Sequence, residues 1–200
     1  MPPVTQGKRV GLLGGSFNPA HEGHLHISAL ALKHLKLDQL WWLVSPQNPL
    51  KPETGMASLK ERMKAAKKIA ASDPDIVVCD LENSLSTRHT VDTIEALKVE
   101  FPEVSFVWVM GADLLVQVPQ WKRWRALFRM VPVAVFARPA YSARALSGKA
   151  ARRFKGARIA RYRVGSLANM RPPAWAYMRT RLNRMSATRI RAEDGQGTQN

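Results

Sequence analysis

Five short apolar, β-branched runs separated by stretches of helical period constrain this chain more than any other feature, because that alternation marks βα units around a mainly parallel sheet. The runs fall at residues 9–13, 39–44, 76–79, 104–110 and 131–137. The fourth, VSFVWVM, is almost wholly apolar, as a strand buried on both faces requires. Between the runs, Leu25, Leu32 and Leu35 recur at helical spacing, and Val91, Ile94 and Leu97 mark another helix. Ser58, with Glu61 three residues on, reads as a capping box that opens the helix LKERMKAAKKIAA.

A chain of 200 residues has room for one such domain with a real core, and no internal repeat or linker asks for a second. The expectation is therefore an α/β, Rossmann-like, doubly wound sheet of five or six mainly parallel strands with a small C-terminal helical extension. It occupies residues 1–192 as one domain, and residues 193–200 form a frayed tail. The single cysteine, Cys79, excludes an intramolecular disulfide and reads as a small core residue in a reducing compartment. The N-terminus lacks a signal-peptide core, and no run of about 18 apolar residues offers a membrane span, so a cytoplasmic protein without a membrane partner is expected. A net charge of +16 points to an anionic partner: nucleotide, nucleic acid or phosphorylated metabolite. Between Ala137 and Ala192 there is no Asp or Glu at all.

Ligands of an open α/β sheet bind beyond the carboxyl ends of the strands, near the point where strand order reverses. The loops after the first and fourth runs lie there. After the first come GGSFNPAHEGH: Gly14 and Gly15 permit close backbone approach, and Asn18-Pro19 turns the chain toward a helix start. Backbone amides and the positive end of the helix dipole then suit a phosphate. His21 and His24, three residues apart, share one helix face there. The string is neither a Walker loop nor the GxGxxG fingerprint. Far downstream, MSATRIR supplies Ser186 and Thr188 hydroxyls and the Arg189 guanidinium, groups suited to a triphosphate.

GGSFNPAHEGH resembles the HxGH signature of the nucleotidyltransferase superfamily, and MSATRIR resembles its ISSTxIR motif with Met and Ala in two positions. The segments SPQNPLK, TRHTVDTI, VWVMGADLL and QWKRW, in that order, are similar to nicotinate-nucleotide adenylyltransferases over Val10 to Arg191. The resemblance implies transfer of the adenylyl group of ATP to nicotinate mononucleotide, giving deamido-NAD and pyrophosphate by direct in-line attack, with Mg²⁺ carried on the ATP. It implies catalytic roles for His21, His24 and Arg189, and ATP contacts at Gly14, Gly15, Ser16, Phe17, Gly111, Asp113, Ser186 and Thr188. It assigns the acceptor to Asn18, which stands where Asp is common, and to Lys51, Thr87, Thr90 and Trp121, with Trp124 as the reserve ring platform. No protein metal ligand is implied. The alternatives are a pantetheine-phosphate adenylyltransferase and, from another class, a basic nucleic-acid-binding protein; the latter lacks a recognition helix or an RNA-binding aromatic motif.

Other residues read as ordinary structure. Trp108, inside a strand, is assigned to the core, and His26 and His34 to helix surface or packing. Arg62, Lys64, Lys67 and Lys68 are expected on a solvated helix face.

Overall fold

The computed structural model describes residue 2 and residues 7–46, 55–138 and 141–179. The elements run β1 (Arg9–Gly15), α1 (Glu22–Leu35), β2 (Gln39–Val44), α2 (Leu59–Ala70), β3 (Ile76–Cys79), α3 (Leu81–Ser84), α4 (Thr90–Glu100) and β4 (Ser105–Gly111). They continue through α5 (Ala112–Gln117), α6 (Trp124–Met130), β5 (Val133–Phe136), α7 (Ser142–Leu146), α8 (Lys149–Arg153) and β6 (Trp175–Met178). All strand pairs are parallel, in the order β3-β2-β1-β4-β5-β6. This is a Rossmann-like α/β sheet whose chain order reverses between β1 and β4, which opens a crevice beyond their carboxyl ends.

Successive strand residues face opposite sides, so the sheet builds two cores. Val10, Leu12, Trp41 and Trp108 pack on one side with Ile94 of α4, Leu115 of α5 and Leu127 of α6. Leu13, Trp42 and Val109 pack on the other with Ile27 and Ala31 of α1 and Ala66 of α2. Trp41 and Trp42 are fully buried, and truncating either to alanine would cost about 3–5 kcal/mol. The buried stripe of α1 is Ile27, Ala31 and Leu35, while Leu25 and Leu32 are only half-buried. The Ser58–Glu61 capping box forms as its spacing indicates, with Ser58 Oγ accepting from the Glu61 amide and Glu61 Oε2 accepting from the Ser58 amide. Cys79 is packed against the first core, and burial pushes its thiol pKa up to about 12. Among the described residues no helix is long and apolar enough to cross a membrane.

The sheet has six strands, within the five or six expected: the basic stretch after β5 forms α7, α8 and short 3-10 turns, then returns as β6. The run WAYM is only four residues long and follows Pro172-Pro173, which hid it among arginines. One expectation needs correction. Arg62 is not solvated. Lys64, Lys67 and Lys68 of α2 are exposed, but Arg62 retains only 3% exposure and turns inward to bind backbone carbonyls. Residues 193–200 lie outside the described part of the chain.

Candidate active site

β1 ends in Gly14-Gly15 at the switch point. A Cβ on Gly14 would stand 2.5 Å from Trp108 Cη2, so the first requirement for glycine there is packing against the indole of β4. Phe17, at φ 47°, is buried; its ring stacks on Trp42 with centroids 5.0 Å apart and lies 4.7 Å from the His24 ring. Trp42 in turn donates to Ser28 Oγ, which donates to the His24 carbonyl. Phe17 is thus a wedge that fixes the loop, and what it can offer a nucleotide is its backbone.

His21 is the N-cap of α1 and is almost fully buried. Its Nδ1 accepts the Gly23 amide at 3.0 Å, and the His24 Nδ1 accepts the His21 amide at 3.2 Å. The sequence suggested open amides at this helix start. Instead the two histidines take up the amides of residues 21 and 23 in a reciprocal capping box, a role usually filled by Ser, Thr, Asp or Asn with Glu. The consequence is chemical: with Nδ1 accepting, the ring proton sits on Nε2 of each imidazole. The ring centroids lie 3.9 Å apart with the planes tilted by 40°, so the two imidazoles are in contact at the helix start where the resemblance puts the ATP phosphates. Burial, and secondarily the positive charge of Arg138, lower the His21 pKa to about 4, which makes it a neutral hydrogen-bond donor at physiological pH.

Arg138 stands two residues past β5, and its Nε lies 3.3 Å from Asp113 Oδ1 in the first turn of α5. A Cβ on Gly111 would collide with both side chains, so glycine at this position keeps the pair together. Asp113 Oδ1 is buried and, among the described residues, accepts no hydrogen bond. Gly111, Asp113 and the charge felt by His21 therefore converge on the ends of β1, β4 and β5. Arg138 was missed; its only trace in the sequence is a basic residue placed just past a strand's carboxyl end.

The other side of the crevice is the end of β2. Ser45 donates its amide to the Gly15 carbonyl and its hydroxyl to Glu82 Oε2 at 2.6 Å. Burial raises the pKa of Glu82, opposed by the Ser45 hydrogen bond. The Thr87 amide donates to the Glu82 carbonyl, and its hydroxyl lies 2.7 Å from that of Thr93; Thr90 opens α4. Lys122 pairs with Asp92, and Arg123 with Glu95, which docks the Trp121 loop on the same helix. Trp121 is half-buried with its ring edge-on to Trp108 at 6.3 Å. Trp124 is a core residue packed edge-on to Phe128 and Phe154, so it offers no open ring face.

Asn18 reaches sideways, donating from Nδ2 to the Gly55 carbonyl and accepting the Ala57 amide. It tethers the loop ahead of α2. Lys51, Ser186, Thr188 and Arg189 lie outside the described residues. Among the described residues no three His, Cys, Asp or Glu side chains gather as a metal site. A cleft of about 430 Å³ beside the start of β6, lined by Arg158, Tyr162 and Arg171, includes none of the motif residues.

The sequence profile of the Cytidylyltransferase-like family matches residues 12–193. A protein of Parvibaculum lavamentivorans described as "Probable nicotinate-nucleotide adenylyltransferase" is 48% identical over 96% of this chain and 95% of its own length. One of Bradyrhizobium sp. with the same description is 46% identical over 94% of this chain and 97% of its own. Among solved structures, Plasmodium falciparum nicotinic acid mononucleotide adenylyltransferase complexed with NaAD superposes with a TM-score of 0.68 at 16% identity, covering 92% of this chain and 83% of that one. At that identity the likeness is one of fold.

Proposed function

Because the chain belongs to the cytidylyltransferase-like family and is a nucleotidyltransferase, we propose that it joins the adenylyl group of ATP to nicotinate mononucleotide, releasing pyrophosphate. The observation that carries this reading is the pair of imidazoles of His21 and His24, with ring centroids 3.9 Å apart at the start of α1 and both Nδ1 atoms taken up by backbone amides, which leaves each Nε2 to carry the proton. The acceptor name comes from relatives nearly half identical over almost the whole chain.

The chemistry this site must supply is modest. A phosphate monoester is already ionised at neutral pH, so its oxygen attacks the α-phosphorus in line without a protein base, and the bond to the β-phosphate breaks as pyrophosphate leaves. Charge grows on the α-phosphoryl oxygens and on the leaving group, and the two fixed imidazole donors meet it at little reorganisation cost. Mg²⁺ arrives on ATP as part of the substrate, since it favours phosphate oxygens and retained water. The imidazoles are unsuited to ligate it, with Nδ1 engaged by amides and Nε2 protonated. Asp113 Oδ1, buried and ion-paired with Arg138 but accepting no hydrogen bond among the described residues, is ready to accept from a hydroxyl of the nucleotide sugar. Trp121 lends the pyridine ring a stacking face, and Thr87 and Thr90 bound that pocket.

The test is pyrophosphate release from Mg-ATP with nicotinate mononucleotide, which we expect to be robust. Silence with that acceptor and turnover with phosphopantetheine would reassign the substrate. Trp121→Ala should raise KM for the pyridine nucleotide about tenfold, the worth of roughly 1.4 kcal/mol of stacking, with KM for ATP nearly unchanged. A rise confined to the KM for ATP would remove Trp121 from the acceptor side.

A further inference from the structure

We propose that Arg62 is a positioning residue that locks the phosphate-motif loop after β1 to the loop after β2, holding the two halves of the crevice in register for transfer. Its Nη1 donates to the carbonyls of Ser16 at 2.7 Å and Ser45 at 2.8 Å, its Nη2 to Pro46 at 2.8 Å and its Nε to Ala57 at 2.9 Å. Four of the five N–H groups of a guanidinium are thereby used. Every partner is a backbone carbonyl, and among the described residues no carboxylate pairs with this buried cation.

The placement of those carbonyls is what gives the residue a function. Ser16 stands just past β1 and five residues before His21; Ser45 stands just past β2, with its hydroxyl on Glu82 and its amide on the Gly15 carbonyl. One planar fork thus spans the side of the crevice where the nucleotide phosphates are handled and the side assigned to the acceptor. A buried charge without a counter-ion is costly, and an apolar side chain could fill the same volume, so packing alone does not call for arginine here. Lysine could not replace it, because an ammonium offers three donors from a single point and cannot reach carbonyls arranged around a flat fork. In-line displacement is sensitive to alignment, and a shift of about 1 Å between reacting groups can cost about 10²-fold.

The kinetic half of this inference rests on the adenylyl-transfer reading above; the structural half does not. The full-length chain with Arg62→Ala, and separately with Arg62→Lys, is compared with the unaltered protein in turnover, thermal unfolding and amide hydrogen exchange. We expect folded Arg62→Ala to lose about 10²-fold in kcat and to regain part of it in low, non-denaturing guanidinium but not in ethylammonium. Arg62→Lys keeps the charge yet should remain at least about tenfold slow. In both, amides of residues 14–24 and of Ser45 should exchange faster. If Arg62→Ala does not fold, the lysine variant carries both readouts. A folded variant with lower thermal stability but wild-type kcat and unchanged exchange around Ser16 and Ser45 would overturn the proposal. Should the unaltered protein be inert with nicotinate mononucleotide, the functional reading fails, and the exchange pattern alone decides the role of Arg62.

Discussion

His24→Ala is expected to lower kcat by about 10²- to 10³-fold, the usual consequence of removing one preorganised donor from a developing anion. The protein should stay folded. His24 is half-buried at the first turn of α1, and its structural contributions include ring contacts with Phe17 and Trp42 and acceptance of the His21 amide, a cap worth on the order of 0.5–2 kcal/mol. Steady-state kinetics with saturating ATP and acceptor, alongside thermal unfolding, separate the two effects. A kcat loss that tracks only the loss of folded protein would assign His24 to structure.

His21→Asn should act on turnover with less effect on the fold. Asparagine is among the best N-cap residues, so its side-chain oxygen can take over the Gly23 amide, but it cannot place an N–H where Nε2 stood. Turnover should fall about 10²-fold while the helix start survives. The variant also has a pH signature. The His21 pKa is about 4 in the fold, below the ordinary 6.5, so between those values only the unfolded chain takes up the proton. Stability from this residue is complete above about pH 6.5 and drains away as pH falls toward 4. His21→Asn should flatten that part of the acid-unfolding profile, as denaturant titrations between pH 7 and 4 can read. An equally steep profile would show that His21 is not held neutral by the fold.

Elements whose apolar runs stand clear of other signals were legible to the residue: β2 and β3 begin and end where their sequences indicate. The Ser58 cap was equally plain, since S-x-x-E before a helical stretch has one simple explanation. What stayed hidden depends on partners remote in the chain. Arg62 looks like any basic residue on an amphipathic helix, and only the folded approach of Ser16, Ser45 and Pro46 turns it inward. Arg138 becomes part of the site because β5 ends beside β4, a neighbourhood set by sheet order and not by spacing. For the HxGH histidines, spacing placed them together, but which ring nitrogen carries the proton is decided by the amides they cap. The tryptophans divide: Trp108 is core, as its place inside a strand indicates, whereas Trp124 goes to the core through contacts with Phe128 and Phe154, leaving Trp121 half-buried just ahead of α6.

The claim on which the rest stands is that two imidazoles, each with its proton on Nε2, meet the phosphates of ATP together. Histidine side-chain ¹⁵N resonances, assigned with His21→Asn and His24→Ala and followed while Mg-ATP is added at pH 7, read that claim atom by atom. Both Nε2 signals should begin protonated and shift with a common saturation curve, while both Nδ1 signals stay unprotonated. Saturable binding of Mg-ATP that leaves the two Nε2 signals unmoved would contradict it.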